Sequence, residues 1–197
     1  MKSIHLFLSI VLMLVTYSSC VGDRKTVIGQ EFDTDTFENK DFKGNALNFS
    51  ELPEDLCGYL DNAQIQQAYK SANVTDVKPD TKRRFLGKNC GFTIFFDGTM
   101  EKYSRGFLSV VEDPADVEAE WKEQWEFRKK SLKSAEYIPK LGKAAIWIGK
   151  QRKLEVKMDG YSIFLEVPPT YSINDKNAEQ HDYKTSAIKI LSSSKFF

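Results

Sequence analysis

The run Phe92-Thr93-Ile94-Phe95-Phe96, closed by Asp97-Gly98, constrains this chain more than any other stretch. A short block of β-branched and aromatic side chains fits a pleated strand, and Asp-Gly is a strong turn pair for a hairpin. The return strand is supplied by residues 103–112, with Phe107, Leu108, Val110 and Val111. A similar grammar recurs in the second half. Residues 145–148 and 154–158 read as strands, Asp159-Gly160 as a turn, and residues 161–167 as a third strand stopped by Pro168-Pro169. Alternating strands joined by polar turns make an antiparallel sheet with one wetter face.

Helices fill the intervals. Residues 53–71 read as helical in one or two pieces, with Asp61 as the N-cap of the second piece. Residues 73–89, with Pro79 and the basic Lys82-Arg83-Arg84, read as a loop. The strongest helix follows Asp113-Pro114, a capping residue and a proline at the first helical position. Its apolar stripe is Val117, Trp121, Trp125 and Leu132, and its charges run acidic early and basic late, with the helix dipole. A last helix is expected over residues 177–194. The fold class is therefore α+β, an antiparallel sheet of about five strands covered by helices. Residues 45–197 form its single domain.

The N-terminus reads as an address. Lys2 is followed by about a dozen mostly apolar residues, a signal-peptide pattern too short for a membrane span. Ser18-Ser19-Cys20 then resembles the lipobox of bacterial lipoproteins, with Tyr17 standing where that pattern has an aliphatic residue. Residues 1–19 would be the signal peptide, Cys20 the lipidated residue, and residues 20–44 a lipid-anchored tether. Part of that leader is expected to dock on the domain, because Phe32, Phe37, Phe42 and Phe49 recur at near-regular spacing. The competing expectation is a secreted chain cleaved close to the same point, with Asn48-Phe49-Ser50 and Asn73-Val74-Thr75 as glycosylation sequons.

With Cys20 lipidated, two of the three cysteines remain, Cys57 and Cys90. In an oxidising compartment the simplest outcome is that they pair, stapling a loop of about thirty residues and adding roughly 3–4 kcal/mol. A redox pair would sit closer in sequence, and a zinc site lacks ligands.

This layout is similar to exported bacterial lipoproteins of unknown function. Cys57 sits at a helix start, Cys90 opens the first strand, and a long helix follows. The step Leu141-Gly142-Lys143-Ala144-Ala145-Ile146-Trp147 and a last helix near Asn174 or Asn177 complete the likeness, which spans most of residues 52–195. The resemblance implies a PsbP-like α/β/α sandwich and the same disulfide. It carries over no catalytic residues.

Charge narrows the function classes. The 28 Lys+Arg balance 28 Asp+Glu, so the Lys/Arg excess that drives nucleic-acid binding is absent. His181 is the only histidine beyond the leader, and it reads as a solvated or satisfied contact rather than a general base. No nucleophile elbow, P-loop, zinc-protease or EF-hand spacing occurs, so neither enzyme chemistry, a metal nor a cofactor is expected. Trp121, Trp125 and Trp147 are core candidates, with a sharper reading as ligand or partner contacts that requires an exposed indole. The expected role is a lipid-anchored, non-catalytic envelope protein presenting a binding or assembly surface to an envelope protein or glycan. The alternative is a small apolar or glycan ligand held between sheet and helices.

Overall fold

The computed structural model describes residues 37–80, 87–170 and 181–197. These lie within the compact unit Thr34–Phe197. The expected signal peptide (residues 1–19), Cys20 and the basic triplet Lys82-Arg83-Arg84 fall outside the described residues.

Seven antiparallel strands form one sheet: β1 (Val74–Pro79), β2 (Lys88–Phe96), β3 (Tyr103–Glu112), β4 (Ala135–Tyr137), β5 (Ala144–Ile148), β6 (Lys153–Lys157) and β7 (Tyr161–Glu166). Three α-helices accompany them among the described residues: α1 (Asn62–Ala68), α2 (Ala115–Ser131) and α3 (Tyr183–Ser192). The expected hairpin is β2–β3, and the expected meander is β5–β6–β7. The spatial order is β1-β2-β3-β7-β6-β5-β4, so the last strand of the second meander closes onto the last strand of the first. Glu112 faces Tyr161 and Phe107 faces Glu166 across that seam.

Two strands exceed the expected five, and each was hidden for a physical reason. In β1 a register shift between Val74 and Asp76 lets Val74 and Val77, three apart, both face the core. A bulge of this kind erases the two-residue period on which strand recognition rests. At three residues, β4 is too short to show a period at all. Within the region 73–89, read as a loop from its polarity, residues 74–79 are strand and β2 already begins at Lys88, while residues 81–86 lie outside the described residues.

Alternation along β5 shows how the layers stack. Ala145 and Trp147 join the large core with Ile190 and Leu191 of α3, while Ala144 and Ile146 join Trp121 and Trp125 of α2. Neighbouring side chains on a strand point to opposite faces, so helices cover both sides of the sheet. α1 packs on β1 and α3, α3 on β6 and β7, and α2 on β4.

The helix termini partly match their sequence signals. Asp61 caps α1, accepting from the amides of Ala63 at 2.9 Å and Gln64 at 3.4 Å. α3 starts later than residue 177, at Tyr183, where the Asp182 side chain accepts from Thr185 N at 3.0 Å. Asp113 does not cap α2: the N-cap is Pro114, and the Asp113 carboxylate is engaged with the sheet instead. Cys57 and Cys90 form the expected disulfide, 33 residues apart, which ties the 3₁₀ turn Cys57–Tyr59 to β2.

Docking of the leader begins inside the stretch expected as tether, at Phe37 among the described residues. Phe37 is buried, the Asn39 amide donates to Lys143 O at 2.8 Å, and Asn39 Nδ2 donates to Gly142 O at 2.9 Å.

Candidate functional site

The three tryptophans do not converge. Trp121 and Trp125 lie edge to face, 5.2 Å apart, beneath α2, whereas Trp147 belongs to the core on the other side of the sheet. Their exposures are 3%, 5% and 5%, so all three indoles are core. Phe37 packs against both α2 indoles and stacks on Tyr137 at 4.3 Å. On the far face Tyr69, Phe92, Leu154, Tyr161 and Ile163 fill the interior where a ligand between sheet and helices would sit.

Beside the apolar cluster of Ala135, Ala144 and Ile146, the sheet under α2 also carries buried charge on β6. Lys157, fully buried, lies 2.5 Å from Asp113 and 2.7 Å from Glu118, and Lys143 reaches Glu118 at 2.8 Å and Asp159 at 3.1 Å. Glu155, also buried, pairs with Arg128 of α2 and with Lys153. Burial works to raise the Glu118 carboxyl, but hydrogen bonds from Lys143 and Lys157 outweigh it and hold the group below its ordinary range. Cations and carboxylates paired in this way stitch a helix to a sheet.

His181 is also engaged by its neighbours. Its Nε2 lies 2.9 Å from Ser186 Oγ and its Nδ1 3.4 Å from Ser71 Oγ, with the ring stacked on Tyr69. The Ser186 hydroxyl, with its single proton, has two acceptors within reach, Ala68 O at 3.1 Å and His181 Nε2, and the imidazole tautomer sets which of the pair donates. Burial lowers the His181 pKa, against a smaller opposing pull from Asp182.

The surface with binding character is one that the sequence did not single out. Among the described residues α2 lies over the β4–β6 part of its face, and on the β1–β3 part Tyr103 is exposed while Phe95 and Thr93 are buried. There Phe95 and Tyr103 sit 6.3 Å apart, with Lys78 over the Phe95 ring at 5.4 Å and Arg105 over the Tyr103 ring at 5.2 Å. Asp80 pairs with Arg105 at 3.3 Å. Together with Met100 these groups border a hollow of about 270 Å³. Tyr103 is 43% exposed and Met100 64%. Flat rings flanked by cations suit sugar rings, aromatic side chains or carboxylates. The hollow was invisible in sequence because Lys78 and Asp80 come from β1 and the segment just after it, within the region read as a loop.

The adjoining sheet edge is closed to strand addition. The Asp80 amide bonds Gly91 O, which sets Val77 and Pro79 as the residues with outward main-chain groups. Pro79 has no N–H, the Val77 N–H is taken by Asp76 Oδ1 at 2.8 Å, and Gln66 Nε2 caps the carbonyls of Val74 and Thr75. Binding at this face therefore falls to side chains.

Among the described residues no helix is long and apolar enough to cross a membrane, and no three metal-ligating side chains come together. Comparison of the chain with protein-family models, curated proteins and solved structures finds no match.

Proposed function

We propose that this chain is an exported protein of the bacterial cell envelope, anchored to a membrane through lipid on Cys20. Its α+β domain serves as a non-catalytic binding or assembly module for an envelope protein or glycan. The observation that carries this reading is the hollow on the β1–β3 part of the sheet, where Phe95, Tyr103, Arg105 and Lys78 stand together while the charges under α2 are spent on holding the helix. The PsbP-like sandwich belongs to the same proposal, supported by the helix–sheet–helix layering.

Two measurements test it. Intact mass of the protein from its own membranes, with and without reductant, should give a chain beginning at a lipidated Cys20 and gaining two hydrogens on reduction. An unlipidated mass, or a glycan on Asn48 or Asn73, would discard the anchor. The soluble domain should sediment with isolated envelopes, and Tyr103→Asp with Arg105→Glu should release it. Sedimentation unchanged by that pair would move the binding surface elsewhere.

A further inference from the structure

The slot beneath α2 is walled by helix and sheet: Trp121 and Trp125 are one helical turn apart on α2, and Ala135, Ala144 and Ile146 come from the sheet. The ring that completes it, Phe37, is supplied by a segment outside any helix or strand. The three residues of that segment are each held by a different feature. Phe37 enters the slot, with its ring 5.7 Å from Trp121 and 6.4 Å from Trp125. The Glu38 carboxylate meets Lys122 of α2 at 2.6 Å. Asn39 bonds Gly142 O and Lys143 O through its carboxamide and its amide. Ring, carboxylate and carboxamide are thus held in sequence along one groove, the pattern by which domains recognise short extended peptides.

We propose that the α2 groove is a peptide-docking site for an aromatic–acidic–carboxamide segment, occupied in the free protein by its own Phe37–Glu38–Asn39 as an autoinhibitory strap. A partner segment of the same chemistry gains access when the strap leaves, and the strap lowers its apparent affinity by the fraction of time the groove is closed. This site lies on the other half of the sheet face from the Tyr103 hollow and stands or falls independently of it.

The test uses the full chain and an acetylated, labelled hexapeptide with the sequence of residues 37–42, followed by fluorescence anisotropy. Phe37→Ala protein should bind the peptide at least tenfold more tightly than wild type, and a peptide with alanine in place of its first phenylalanine should not bind. No binding by a folded Phe37→Ala protein, equal binding by both proteins, or equal binding of the two peptides would overturn the proposal. Should Phe37→Ala fail to fold, amide exchange on the wild type decides. The Asn39 amide should exchange at least tenfold faster than the Ile146 amide, because the strap opens while the sheet stays closed. Exchange of both at one common rate would make Phe37 an ordinary core residue.

Discussion

The ammonium of Lys157 lies 2.5 Å from the Asp113 carboxylate, with the lysine wholly out of solvent. Asp113 precedes α2 and Lys157 ends β6, so this contact, shared with Glu118 and with Ser162 Oγ at 2.8 Å, fixes where the long helix enters its seat. Lys157→Met would leave the Asp113 carboxylate without a counter-charge, while Glu118 keeps only Lys143. Removing one partner from a buried pair costs about 3–5 kcal/mol. Urea unfolding should show a loss of that size, and an unchanged midpoint would mean that α2 is seated by its tryptophans alone.

Stability should depend on pH in two acid steps. The His181 pKa lies below its usual 6.5 because burial disfavours the cation, so its contribution is complete above pH 6.5 and is shed as pH falls toward the lowered value. Glu118 lies below its usual 4.5, so its contribution is present above that pH and lost as pH falls through the folded-state value. Lys143, held above its usual 10.5 because Glu118 and Asp159 outweigh the cost of burial, contributes at neutral pH and lets go only at the alkaline end. Denaturant midpoints measured against pH should lose the first step in His181→Asn and show a smaller second step, shared with Asp182, in Glu118→Gln.

The disulfide closes 33 residues and joins a 3₁₀ turn to the core strand β2. Cys57→Ser with Cys90→Ser should lower stability by about 3–4 kcal/mol, most of it through a freer unfolded chain. Thermal melts of the double variant and of the reduced wild type should coincide.

Gly106 lies directly across the β2–β3 ladder from Phe92, whose ring covers it. A β-carbon at Gly106 would stand 2.2 Å from the ring's outer carbon, so Gly106→Ala must displace a side chain that is 1% exposed. Overpacking of this kind costs about 1–3 kcal/mol. Gly106→Ala combined with Phe92→Leu should recover part of the loss in a double-mutant cycle, and full additivity would argue against the steric account.

Around the open hollow the expectation is the opposite. Tyr103→Asp alters an exposed side chain outside both core clusters and should change stability by no more than about 0.5 kcal/mol, whereas Arg105→Glu also takes the cation from Asp80 and should cost more. The same variants should lose envelope sedimentation, which separates a binding role from a folding role.

Local chemistry determined much of this protein by itself. The Asp97-Gly98 hairpin, the Asp159-Gly160 turn, the Asp61 cap, the stripe carrying Trp121 and Trp125, and the pairing of Cys57 with Cys90 all follow from short-range pattern or from counting. Each needs only neighbours in the chain, or the last two thiols left over. What only the tertiary structure decided is long-range. The bulged β1 and the brief β4 exist because adjacent strands offer them ladder partners, not because their own residues alternate. Asp113 gave up the helix cap that its position announced, because Lys157, 44 residues away, arrives beside it once the meander folds back. Tyr103 and Arg105 likewise stay exposed because α2 settles over the β4–β6 part of the sheet.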